Sequence, residues 1–78
     1  MKLLVRNLNR ATTEAELLEI FTEHGLVETC DLVIDKENGQ SKGFGFVEMP
    51  KTQEAKAAIK KIDGAHIAGN KVRVKMAE

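Results

Sequence analysis

The chain has 78 residues, with 12 lysines and arginines against 12 aspartates and glutamates, and so no net charge at neutral pH. That length supports one domain, expected to occupy residues 1–78, which buries only about 60% of its unfolded surface in a thin core. The lone cysteine, Cys30, excludes an internal disulfide, and no run approaches the roughly 18 apolar residues of a membrane span or forms the apolar core of a secretion signal, so a reducing, cytoplasmic setting without membrane contact is expected.

Charge is sorted along the chain even though it sums to zero. Residues 1–13 carry Lys2, Arg6 and Arg10 and no acid, residues 14–37 carry eight acids against Lys36 alone, and residues 38–78 carry eight bases against four acids. Whether that order becomes an order in space depends on the fold.

Residues 3–8, LLVRNL, read as a short strand bounded by the polar NRAT. Thr13 and Glu16 form a capping box, each side chain placed to satisfy an orphan backbone donor of a helix start. Leu17, Ile20, Phe21 and His24 then follow the spacing of one buried helical stripe, and Gly25 stops the helix. Residues 28–34, ETCDLVI, suit a second strand, and Asn38-Gly39 signals a turn. Residues 42–49, KGFGFVEM, make a third strand closed by Pro50. Thr52 is placed to cap a second helix whose stripe is Ala55, Ala58, Ile59 and Ile62, with alanines small enough to let it lie close on a sheet. Asp63-Gly64 ends it, HIAGN reads as a turn or minor hairpin, and residues 71–75, KVRVK, alternate as a fourth strand.

The order β-α-β-β-α-β is that of the ferredoxin-like α+β fold, a four-stranded antiparallel sheet with both helices on one face. Side chains alternate across a strand. Gly45, Val47 and Met49 therefore share one face of the third strand, and Lys42, Phe44, Phe46 and Glu48 share the other. A face carrying Lys42 and Glu48 is the wet one, so the two phenylalanines belong on the open side; the opposite register would bury both charges. The same reasoning puts Leu4, Arg6, Asp31, Val33, Lys71, Arg73 and Lys75 on that face, with Cys30 and Leu32 beneath it, while Glu14, Glu16, Glu19 and Glu23 ride on the first helix behind the sheet. An apolar, aromatic centre flanked by bases fits single-stranded nucleic acid, because every base has a π face that stacks on a phenyl ring, worth about 1–3 kcal/mol per base.

KGFGFVEM fits seven of the eight positions of the octamer of the RNA-recognition motif family, with Met49 where an aromatic is usual. LLVRNL is similar to the family's hexamer, with Leu4 in place of its aromatic and Asn7 at its asparagine. The chain resembles that family over its whole length. The resemblance implies a stacking role for Phe46, contacts of Phe44 with sugars, and phosphate contacts for Lys42 and the bases of the fourth strand; Arg6, Asn7, Leu4 and Val33 complete the expected RNA-binding set. Leucine offers no π face, and one missing stack of about 1–3 kcal/mol lowers affinity about 5- to 150-fold, so micromolar or weaker binding is expected. About four phosphate contacts predict a log–log salt slope near −3.

The expected partner is single-stranded RNA, with single-stranded DNA as a variant of it. The alternative is a protein-interaction module in which the same apolar face docks a protein partner or, weakly, a second copy of the chain; salt separates the two, since only nucleic-acid binding weakens steeply with it. No cofactor or metal is expected, because His24, His66 and Cys30 lack ligand spacing. An enzyme is not expected either. GFG lies mid-strand instead of before a helix, and NLNRATT has Arg10 but no glycine for a phosphate-cradling loop.

Overall fold

The structure is a computed structural model that describes residues 1–77. Its elements run β1 (Lys2–Arg6), α1 (Glu14–Thr22), β2 (Thr29–Ile34), β3 (Ser41–Glu48), α2 (Thr52–Ile62), β4 (His66–Ile67), β5 (Asn70–Lys71) and β6 (Arg73–Met76). The main sheet has the order β2-β3-β1-β6, antiparallel throughout, and β4 and β5 form a separate two-stranded ribbon. This is the β-α-β-β-α-β arrangement expected from the sequence.

The capping box at α1 is complete. Thr13 Oγ1 accepts from the Glu16 amide at 3.1 Å, and the Thr13 amide donates to Glu16 Oε1 at 3.0 Å. Glu14 and Glu16 also place negative charge at the positive end of the helix dipole. Leu17 and Phe21 are buried, while Ile20 packs at the margin of the core.

The second helix begins differently from expectation. Lys51 is its N-cap and no side chain caps it, so Thr52 is the first helical residue and not the cap. A capping hydroxyl must sit one position before the first helical residue to reach the free amides of the first turn, and Thr52 is one place too late. The Ala55–Ala58–Ile62 stripe does pack on the sheet, and Lys60 and Lys61 suit the negative end of the helix.

The last strand is broken where a continuous 71–75 run was expected. Lys71 pairs with His66 in the ribbon. Val72 turns inward and bonds the helix exit, donating to Ala65 O at 2.9 Å and accepting from the Gly64 amide at 2.7 Å. Pairing with β1 therefore starts only at Arg73.

The core lies between the sheet and the two helices, with Leu3, Val5, Leu17, Phe21, Val47, Met49 and Val72 wholly enclosed. Met49 is inward, as its alternation requires. Both glycines of KGFGFVEM have structural causes. Gly43 sits at φ +84°, a left-handed conformation that side chains resist, and its carbonyl accepts from the Leu8 amide at 2.8 Å. A Cβ on Gly45 would lie 2.6 Å from the Asp31 carbonyl oxygen, so only glycine lets β2 approach β3 this closely.

Candidate nucleic-acid interface

Register sets which side chains become neighbours on the open face. Leu4 pairs with Phe46 on one side and Lys75 on the other, and Asp31 pairs with Phe46, so one row runs Asp31–Phe46–Leu4–Lys75 across all four strands. Burial along β3 alternates as predicted: Ser41, Gly43, Gly45 and Val47 are buried, whereas Lys42 is exposed and Phe44, Phe46 and Glu48 are half-exposed. The two rings meet edge to face, with centroids 6.4 Å apart and planes at 84°, a favoured geometry for an aromatic pair.

Lys2, which the sequence reading passed over, belongs to this face. Its Nζ lies 4.9 Å from the centroid of the Phe46 ring, within the range of a cation–π contact. The signal was available: Lys2 continues the outward alternation of Leu4 and Arg6.

Four predicted residues, Arg6, Asn7, Lys71 and Arg73, come together around one cleft of about 500 Å³. Arg6 and Arg73 are direct cross-strand partners. Like charges so placed repel, and an anion between them relieves the repulsion. Part of the relief is internal, because Arg73 Nε donates to Asp63 Oδ1 at 3.0 Å, and the same oxygen accepts the Val74 amide at 3.0 Å. These bonds, the amide first and the guanidinium second, hold the Asp63 carboxyl below its ordinary range.

Asn7 lies in this cleft with one of its two amide N–H donors committed. Its Nδ2 donates to the Lys71 carbonyl at 2.8 Å, and its backbone takes the left-handed φ of +61° that asparagine tolerates. It holds the ribbon against the end of β1 and so positions Lys71. Val33 is half-buried at the register shift between Leu32 and Ile34, beside the aromatic row instead of within its regular ladder. Lys42 is exposed at the start of β3.

Leu32 is buried and Cys30 half-buried against the core, as their inward assignment requires. Burial first, and the nearby Glu14 and Asp31 charges second, push the Cys30 thiol up to about 11. It stays protonated at neutral pH and is no nucleophile. The acids of α1 ride on a helix packed against the core side of the sheet, away from the rings, whereas Asp31 and Glu48 stand on the ring face, so the charge order of the sequence carries into space only for the helix.

The geometry has close counterparts. A solved crystal structure of an RNA-binding protein, PG1, superposes with a TM-score of 0.94 at 35% identity, covering 100% of this chain and 95% of that one. A Sex-lethal protein–RNA complex superposes with a TM-score of 0.94 at 28% identity over 99% of this chain and 46% of that one. Among curated sequences, RbpB of Nostoc sp. (strain PCC 7120 / SAG 25.82 / UTEX 2576) is 41% identical over 78 residues, 100% of this chain and 76% of that protein. The family description "RNA recognition motif" matches residues 3–73, from the first core leucine through the start of β6. With its helices, sheet order and octamer all in their family positions, the chain belongs to the RNA recognition motif family.

Proposed function

We propose that the chain binds single-stranded RNA across its open sheet face. One observation carries the reading: Phe44 and Phe46 stand half-exposed on a central strand, outside the core, with Lys42 on the same face of that strand, Lys2 over the Phe46 ring and Lys75 at one end of the Phe46 row. Phe46 stacks under one base, and Phe44 packs against the sugars between two nucleotides. Leu4 and Val33 add apolar contact. Lys42, Lys71, Arg73, Lys75 and Arg6 neutralise phosphates, and Asn7 keeps Lys71 in place. Membership of the family supports this reading, as does the likeness to a solved Sex-lethal protein–RNA complex.

The rings are costly to expose unless something covers them in use. Single-stranded RNA suits this surface because its unpaired bases splay out and stack on any ring. Single-stranded DNA offers the same π faces, and the comparison of the two sugars measures what the 2′-hydroxyl adds.

Phe46→Ala tests the reading directly. Titration of a short labelled single-stranded RNA, followed by fluorescence anisotropy, is expected to show a loss of about 5- to 150-fold, the size of one base stack, while far-UV circular dichroism shows an unchanged fold. Equal affinity in the variant would remove the stacking role.

A further inference from the structure

The connection between β1 and α1 and the start of β3 enclose a second cleft, distinct from the Arg6–Arg73 cleft, with a volume of about 570 Å³. That is within the size range of sites that hold small ligands. Phe44 forms part of its wall, so the cleft opens directly off the aromatic platform.

Its chemistry is one-sided. Arg10 and Lys42 both line it and are exposed, and no carboxylate does. Among the described residues, neither cation makes an ion pair or a side-chain hydrogen bond. Arg73, by contrast, is tied to Asp63. Two cations without an internal counter-charge, beside a ring, suit a phosphate attached to an aromatic base.

The walls are also braced. Asn9 Nδ2 donates to the Ala68 carbonyl at 2.9 Å, and its Oδ1 accepts the Ala11 amide at 2.8 Å. Asn70 Nδ2 donates to the Asn7 carbonyl at 3.3 Å, which leaves the Asn70 Oδ1 as an acceptor for a ligand donor. The Leu8 amide donates to Gly43 O at 2.8 Å. These bonds fix the loop from the ribbon on one side and from β3 on the other, so the cleft is preformed and a ligand need not order it.

We infer that this cleft is a further nucleotide subsite. It takes the nucleotide next to the pair whose sugars pack on Phe44, with the phosphate between Arg10 and Lys42 and a base or sugar donor on Asn70 Oδ1. The inference rests on the sheet-face reading above. It adds Arg10 and Asn70, which lie off the sheet, to the RNA contacts.

Length-dependent titration separates the two readings. The isotopically labelled protein and its Arg10→Gln variant are titrated with UU and UUU ribonucleotides and followed by amide chemical shifts. UU is expected to move the Leu4 and Phe46 amides equally in both proteins. UUU is expected to move the Arg10, Gly43 and Asn70 amides as well and to bind the wild-type protein about 3- to 5-fold more tightly than Arg10→Gln, the upper range for an exposed charge contact. The wild-type salt slope for UUU should exceed that of Arg10→Gln by about 0.7. Gain from the additional binding register is common to both proteins and cancels.

If UUU binds Arg10→Gln and the wild type equally, with the Asn70 amide unmoved, the subsite is overturned. If UU leaves the Leu4 and Phe46 amides unmoved, the sheet-face reading fails, and the Arg10 comparison with UUU still decides the cleft.

Discussion

The Lys2 ammonium sits 4.9 Å above the centroid of the Phe46 ring, on the very group proposed to stack under a base. A cation over an exposed ring is worth about 0.5–1 kcal/mol. In the proposed binding mode a base that stacks on that face displaces the ammonium, which can then meet a phosphate of the same strand. The contact covers part of an exposed ring in the free protein, and under the proposed binding mode it carries a modest cost to binding.

Lys2→Met separates these two effects. At low salt the variant should bind single-stranded RNA more weakly, having lost one phosphate contact, and its salt slope should be smaller by about 0.7. At high salt, where the phosphate contact is screened, it should equal or exceed wild-type affinity, because nothing has to leave the ring. Anisotropy titrations over a salt series check this; an equal deficit at every salt concentration would rule out the covering role.

Leu4→Tyr restores the missing aromatic at a position whose cross-strand partner is Phe46 and whose other neighbour is Lys75. A second stacking ring should tighten binding about 5- to 150-fold. An aromatic pair across the strands should also add about 0.2–1 kcal/mol of stability. Anisotropy and urea unfolding measure the two gains separately.

Gly45→Ala places a methyl group 2.6 Å from the Asp31 carbonyl and 3.1 Å from Leu32 Cα. Both are backbone atoms and cannot swing aside, so β2 must move off β3. A loss of about 1–3 kcal/mol is expected from overpacking of this kind. Urea unfolding checks it, and the amide shifts of Asp31 and Leu32 should report the displaced strand.

Ala68 holds φ at +52° in the tight turn between β4 and β5, ahead of Gly69 at +83°. Alanine resists that conformation by roughly 1–2 kcal/mol, whereas asparagine accepts it and Asn-Gly is the favoured pair for such a turn. Ala68→Asn should therefore raise the unfolding free energy by about 0.5–1 kcal/mol. The urea midpoint reads it, with the slope unchanged.

Asp63 links pH to stability. Its carboxyl is lowered in the folded protein from an ordinary value of 3.8, by the Val74 amide and then by Arg73. A group whose pKa folding lowers contributes stability above its unfolded pKa, and that contribution disappears as pH falls through the lower folded value. The stability advantage of the wild type over Asp63→Asn should accordingly be constant near neutrality and shrink below about pH 4. Thermal melts from pH 7 to pH 2 test the sign; an advantage that grew with acid would contradict it.

Local chemistry made much of this molecule legible before any coordinates. The Thr13–Glu16 box, the Leu17–Phe21 stripe and the alternation through KGFGFVEM depend only on residues a few positions apart, and each holds in the structure. Alternation is a property of the backbone pleat itself, so with the charges of Lys42 and Glu48 to mark the wet face it placed Phe44 and Phe46 outside the core without knowledge of the neighbouring strands. Thr52 shows the limit even of local reading: a capping residue was recognised by type, but the helix start shifted it by one position.

What the tertiary structure alone decided is which distant residues become neighbours. Lys2 over Phe46, Arg6 opposite Arg73, Arg73 on Asp63, and the asparagines that tie residues 7 and 9 to residues 68–71 all depend on strand order and register or on how the ribbon docks. Those are settled by the collective packing of the sheet against its helices, in which every strand's buried set must face the core at once. A single chain segment carries its own periodicity, but it does not carry the address of its partner.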